Sequence, residues 1–321
     1  MSIMKRLIVI VLATLIPDLA FSQSSQGWPE RTVRLITPSP PGGSPDIVAR
    51  MFAEKLSLRW KTNVFVENRA GADGIIAVQA MLGAADGHTL LLAPSAVATV
   101  TPAIRKLPYD QNELRPLSSA AVDFLAVVVP ASSNILSLAD LVSAASAKPG
   151  TLNWFASFGA PAMAFREFVR NNKLDMVYVA YKGGPEAVRD LSESRIQVSL
   201  VPVAAALPLV QAGKLRLIAI TNPEAAPVAS DVPTAAGAGH PELAIQGVLG
   251  FFAPKSIQDA IQKQISADIQ AVANDPEIRT RLEKAGLIAR GSSPQDYARY
   301  LGEQRLHWEG IARSQKIEPV D

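Results

Sequence analysis

The chain has 321 residues, 48% hydrophobic and 19% charged, which is long enough for two domains with cores of their own and far from the composition of a disordered chain. It contains no cysteine, which excludes disulfides, thiolate metal sites, a nucleophilic thiol and a lipidated lipoprotein terminus. A formal charge of +2, scattered without runs, gives no electrostatic case for nucleic acid or an anionic membrane surface.

Residues 1–22 read as a signal peptide. Lys5 and Arg6 precede an apolar run over 7–16 that is too short for a stable membrane span, and the small residues Ala20 and Ser22 follow, so the mature chain is expected to begin near Gln23 and to be exported. The next stretch, 33–50, predicts a buried strand over 33–37, a tight loop over 40–43 and a sharply started helix over 45–58. Pro40 and Pro41 remove backbone donors, Gly42 and Gly43 permit positive φ, Ser44 is placed as an N-cap, Pro45 fits the first helical position and Asp46 lies in the first turn. The unpaired amides of such a helix start face whatever lies beyond the strand end and make an anion site. No G-x-x-x-x-G-K-[ST] or G-x-G-x-x-G motif is present to specify a nucleotide, and a small carboxylate fits as well.

Strands over 63–67 and 89–93 and a helix over 74–83 continue a βαβαβ pattern, whose natural outcome is a parallel sheet. The apolar run 124–129 is expected to carry the chain into a second lobe. There the pattern repeats, with strands over 152–157, 176–181, 196–201 and 215–221 and helices over 137–147, 161–171, 185–192 and 207–212. A Pro- and Ala-rich stretch, 222–239, reads as a long surface connection back to the first lobe. The remaining segments begin with helix starts at Ser256, Asp275 and Ser293 and are expected to cover the first lobe's sheet. The expected division is lobe I from 23–125 plus 222–321 and lobe II from 126–221, with a cleft between them onto which the βα loops of both open.

Little in the chain supports catalysis. His88, His240 and His307 have no metal-ligand spacing, and no G-x-S-x-G elbow occurs. What recurs instead is a set of strand-to-helix loops rich in small residues: 41–46, 94–99, 157–161 and 182–185. Glycine in such loops lets a ligand oxygen approach backbone amides, and proline starts a helix just after, although each loop taken singly also reads as an economical βα connection.

The run R-L-I-T-P-S-P-P-G-G-S-P-D-I-V-A-R resembles the first strand, loop and helix of the tripartite tricarboxylate transporter substrate-receptor family, also called the Bug family of periplasmic solute-binding proteins. Further matching runs follow in family order: V-E-N-R-A-G-A from Val66, D-G-H-T-L-L from Asp86, K-L-P-Y-D from Lys106, A-Y-K-G-G from Ala180, Q-A-G-K-L-R from Gln211 and D-V-P-T from Asp231. The resemblance implies an α/β fold of two lobes, each a mostly parallel sheet flanked by helices, closing like a Venus flytrap on a small organic acid. It implies neither chemistry nor cofactor, a monomer, and delivery of the ligand to membrane transporter subunits or to a sensor protein. Mapped onto this chain, it points to Pro41, Gly42, Gly43, Ser44 and Asp46, with Ser95 and Thr99 beside them, and across the cleft to Ser157, Phe158, Gly159, Tyr181, Lys182, Gly183, Gly184 and Val201. Asp46 also reads as no more than the cap of its own helix, and Lys182 as a solvated rim charge.

The chain departs from the family pattern in the second lobe. Where relatives usually read S-G-N-G-T-S-S-H, this chain has Ser157-Phe158-Gly159-Ala160-Pro161-Ala162-Met163, and a frequent aspartate falls on Val201. The expected ligand is therefore an acid with an apolar or aromatic body against Phe158 and Met163 and without an amino group, unless Phe158 turns into its own lobe's core or fills a shut cleft. The rival expectation is a secreted α/β hydrolase of a small ester or amide, with a serine nucleophile among Ser39, Ser44 and Ser95.

Overall fold

The computed structural model describes residues 27–314 and 317–320. The expected signal peptide and cleavage site lie outside the described residues. The chain runs β1 (Val33–Thr37), α1 (Ser44–Trp60), β2 (Val64–Asn68), α2 (Ile75–Leu82), β3 (Thr89–Pro94), the short helices α3 (Ala96–Thr99) and α4 (Thr101–Ile104), and β4 (Leu114–Asp123). It continues through β5 (Leu125–Pro130), α5 (Leu138–Ala147), β6 (Asn153–Ala156), α6 (Ala160–Asn171), β7 (Val177–Tyr178), α7 (Gly184–Ser192), β8 (Val198–Pro202), α8 (Val203–Gln211) and β9 (Leu215–Ile220). It ends with β10 (Gly247–Pro254), α9 (Asp259–Ala273), α10 (Pro276–Lys284), β11 (Leu287–Ala289) and α11 (Pro294–Ser314).

Two sheets result, in strand orders β11-β4-β10-β3-β1-β2 and β7-β6-β8-β5-β9. The two-lobed α/β architecture is as expected, but the strand pairing is mixed, not mostly parallel. β1 pairs in parallel with β2 and β3, whereas β10 is antiparallel to β3 and β4, and β11 to β4. In the other sheet β6 is parallel to β7 and β8, and β5 is antiparallel to β8 and β9. The reason is the double crossing. β4 leads through Phe124 directly into β5 and so runs out of the first lobe, while β10 brings the chain back and must run the other way. As a result the C-terminal ends of β1, β3, β6 and β8 all face the junction between the sheets, where the βα loops gather.

Each sheet is sealed by apolar helix faces. In the first lobe Val48, Phe52 and Leu56 of α1 meet Leu35, Leu92 and Phe251, with the Phe52 and Phe251 rings 5.5 Å apart, and Ile265, Ile269, Ile278 and Leu282 of α9 and α10 complete that core. The C-terminal helix does more than cover this lobe. α11 carries Tyr297 and Leu301 into a cluster with Ile36 and Phe252, and Trp308 into the cluster that holds Phe165 and Phe168 of the second lobe.

The 222–239 stretch is likewise no loose surface link. Ala226 and Ala235 are fully buried, and Leu243 and Ile245 enter the second lobe's core. Ile220 donates to Pro233 O (2.9 Å) and accepts from Ala235 N (2.7 Å), so this stretch covers an edge of the second sheet. Its small side chains let the backbone lie close against that edge. Among the described residues no helix is long and apolar enough to cross a membrane.

Candidate ligand-binding cleft

The loop after β1 is built by local bonds. Gly42 takes φ +81, the left-handed region, and Gly43 N donates to Pro40 O at 3.2 Å to close the turn. Gly43, which glycine would allow to take positive φ, is extended at φ −73; a Cβ there would lie 2.1 Å from Ser39 Oγ, so that hydroxyl would have to turn away. Behind the loop Asp46 accepts from Gly42 N (3.0 Å), Arg50 Nε (3.0 Å) and Asn68 Nδ2 (2.8 Å). Burial pushes its carboxyl up, but the bonds from Arg50, Asn68 and Gly42 outweigh that and hold it below its ordinary value. Asp46 is thus a clamp for the loop.

Three helices begin alike. α1, α6 and α7 have Gly43, Gly159 and Gly183 at the N-cap, a proline in the first two positions, and no side-chain cap. α5 and α10, by contrast, carry side-chain caps: Ser137 Oγ accepts from Asp140 N (3.1 Å) and Asp275 accepts from Glu277 N (2.8 Å). The three uncapped starts converge on one cavity of about 570 Å³ between the lobes, lined by Gly43–Pro45, Gly159–Pro161 and Gly183–Pro185. Free amides and three dipole ends of the same sign then face a common space. Phe155, Phe158 and Met163 supply apolar wall, and Ser39, Ser95 and Ser157 line the same cavity.

The lobes touch around it. A Cβ on Gly183 would lie 2.7 Å from Pro40 Cγ, and one on Gly159 2.7 Å from Ala96 Cβ. Phe158 reaches across the cleft, packing both with the second-lobe core and with the cluster of Ile36 and Val97, while also lining the cavity. Tyr181 lines the cavity too, but its hydroxyl donates outward to Asp190 Oδ2 at 2.9 Å, and burial together with that partner pushes the phenol up to about 12. Lys182 is an exposed residue at the rim whose backbone N–H donates to Glu186 at 3.2 Å.

Of the residues singled out from sequence, Gly43, Ser44, Ser95, Ser157, Phe158, Gly159, Tyr181, Lys182, Gly183 and Gly184 line this cavity. Pro41, Gly42 and Asp46 lie behind it in the loop's own framework. Thr99 is buried with its hydroxyl donating to Ser95 O at 3.1 Å, a bond inside its own short helix. Val201 is fully buried in the second lobe's core with Phe155 and Val188 and does not line the cavity. Its identity therefore says nothing about whether a ligand amino group would be accepted.

Sequence reasoning missed Asp123, the last residue of β4 and 5% exposed. Ser44 Oγ donates to its Oδ2 at 2.5 Å, its Oδ1 has no hydrogen-bond partner among the described residues, and it lines the cavity. Burial, opposed by the Ser44 hydrogen bond, pushes this carboxyl up to about 7. Asn222 bridges the crossing beside it, accepting from Leu125 N (3.2 Å) and donating to Asp123 O (3.4 Å). A signal was available: Asp123 is the one charge between Arg115 and Pro130 in an otherwise apolar or small-residue run. The paired Asp73 and Arg105 (2.6 Å) and the C-terminal residues Ile317 and Glu318 also line the cavity and carry no local motif. None of His88, His240 and His307 lines it, so the serines considered as nucleophiles have no histidine beside them there.

The sequence model described as tripartite tricarboxylate transporter family receptor matches residues 48–317. The chain belongs to this family. Among similar proteins, a UPF0065 protein of Bordetella bronchiseptica is 30% identical over 97% of this chain and 92% of its own, and protein BugT of Bordetella pertussis is 28% identical over 98% of each. A solved structure described as Rpa4515 of R. palustris with adipate superposes with a TM-score of 0.86 at 28% identity, covering 91% of this chain and all of that one. MatC of Rhodopseudomonas palustris with bound malate gives 0.81 at 26%, over 88% and 99%.

Proposed function

We propose that this receptor is exported, closes its two lobes on a small organic carboxylate, and presents the loaded form to membrane transporter subunits or to a sensor protein. The observation that carries the reading is the convergence of three glycine-led, uncapped helix starts on one cavity between the lobes. Relatives of the same fold with adipate and malate support it. Each helix start contributes about 0.3–1 kcal/mol to an anion, up to about 2 when partly buried. No single one approaches the ~8 kcal/mol of a micromolar site, so affinity is spread over the loops and the apolar wall. Phe158 and Met163 give that wall, which suits a ligand with an apolar body between or beyond its carboxylates.

In this reading the lobes hinge where the chain crosses, at Phe124 and again before Gly247, with 222–245 moving with the second lobe. Calorimetry and thermal shift with adipate, malate and benzoate, each beside its neutral amide, test it. The acids should bind with one-to-one stoichiometry and raise the melting temperature, and the amides should not. Equal binding of acids and amides, or turnover of an ester or amide, would refute it. Export is tested separately by mass spectrometry of the secreted chain, which should begin near Gln23.

A further inference from the structure

A carboxyl group stands at a place where a receptor for anions has no obvious use for one. Asp123 ends β4 at the crossing between lobes, lines the cavity, and keeps Oδ1 without a partner among the described residues while Ser44 holds Oδ2. Ser44 is the first residue of α1, so the carboxyl lies one hydroxyl away from the amide-lined seat for a ligand anion. We propose that Asp123 binds the ligand as a neutral carboxylic acid, its carboxyl donating a hydrogen bond to the ligand carboxylate, so that capture takes up one proton from solvent. This rests on the carboxylate reading above.

The surroundings favour the neutral form. Its strand neighbours Gly247 and Leu287 bring no titratable side chain, α1 brings the Ser44 hydroxyl, and Asn222 is neutral. The charged and titratable groups facing the same cavity are engaged elsewhere or apart: Asp73 pairs with Arg105, Arg166 lies over the Tyr178 ring at 5.2 Å, Tyr181 turns to Asp190, Lys182 is exposed, and Glu318 sits on the C-terminal segment. None is ion-paired with Asp123. An ionised Asp123 would therefore be a buried anion with no countercharge, set beside a second anion once the ligand enters. Protonation removes the repulsion and lets the carboxyl donate to a ligand oxygen. Burial, even against the Ser44 hydrogen bond, already pushes the group up to about 7, and a neighbouring carboxylate moves it further in the same direction.

The alternative is an ionised Asp123 that accepts from a ligand ammonium or hydroxyl, and it has the opposite pH dependence. Calorimetry of the mature protein with adipate, malate and benzoate, from about pH 6.5 to 8.5 where these probes are ionised, separates the two. Proton uptake, read from binding heats in buffers of different ionisation enthalpy, should rise with pH across this range towards one per ligand, with affinity falling by up to about tenfold per unit at the upper end. Asp123→Asn keeps a donor and cannot titrate, so it should bind within a few fold of wild type at pH 6.5 and lose the pH dependence. Asp123→Ala, checked by its melting curve, should bind about tenfold more weakly than Asp123→Asn. Acid binding with no proton uptake, affinity that rises with pH, or a wild-type pH profile in Asp123→Asn would overturn this inference and leave the carboxylate reading standing. If none of the acids binds at any pH, the carboxylate reading fails and this proposal falls with it.

Discussion

Gly183→Ala tests closure of the lobes with a single methyl group. Gly183 lies at φ 175 and ψ 175, extended backbone that alanine adopts without strain, so the substitution leaves the second lobe itself intact. The new Cβ would sit 2.7 and 2.8 Å from Pro40 Cγ and Cδ on the opposite lobe. An ordinary carbon contact is about 3.5–4.0 Å, so the lobes must stay roughly 1 Å further apart at this point or distort the loop. Overpacking of that size costs about 1–3 kcal/mol, which at ~1.4 kcal/mol per decade weakens binding about 5- to 150-fold. Gly310→Ala is the control: it lies in α11 away from the cavity, its Cβ would meet nothing within 4 Å, and affinity should stay within about twofold. Calorimetry with the best-binding acid reads the affinities, and melting of the unliganded proteins confirms that both variants fold as wild type does. Wild-type affinity in Gly183→Ala would show that the bound state does not bring Pro40 onto Gly183.

Asp46→Ala removes the acceptor for Gly42, Arg50 and Asn68 and should lower stability by about 1–3 kcal/mol in urea denaturation. An unchanged denaturation midpoint would mean that the loop does not depend on this clamp. Phe158→Ala deletes a ring that packs with apolar clusters of both lobes and should weaken ligand binding more than it lowers the melting temperature; a loss of stability alone would place the ring in its own lobe's core. Stability should also report Asp123. Its folded carboxyl lies near 7 against an ordinary 3.8, so the folded state binds more protons between those values, and the stabilisation present below about pH 3.8 is lost as pH rises through about 7. Asp123→Asn should therefore gain melting temperature relative to wild type on going from about pH 5 to pH 8, and parallel curves would refute the buried, unpaired carboxyl.

The strands and helices of the two βα patterns were legible because their signals are local. Proline and glycine after β1, before α6 and before α7 mark strand ends and helix starts whatever the rest of the chain does. The same chemistry fixed the three Gly-Pro helix starts, which is why most of the loop residues singled out from sequence reach the cavity. What failed was what depends on partners far along the chain. β10 and β11 pair with strands more than a hundred residues away, and nothing in residues 247–254 or 287–289 announces an antiparallel neighbour.

Facing within a strand was equally hidden. Alternation tells inside from outside only when one face of a sheet is wet. β8 is covered on both faces, so its apolar run does not reveal that Val201 enters the core while Pro202, one residue on, lines the cavity. Asp123 was lost by one residue, because the crossing strand was read from Phe124 and the carboxyl fell outside it. The sequence by itself determined the two α/β units, the amide-rich loops and the family, since these rest on backbone preferences of neighbouring residues. Only the tertiary structure decided which loops share a cavity, that the two lobes touch across it, and that a buried carboxyl without an ion-pair partner lines it, since these depend on how two sheets meet across a double crossing.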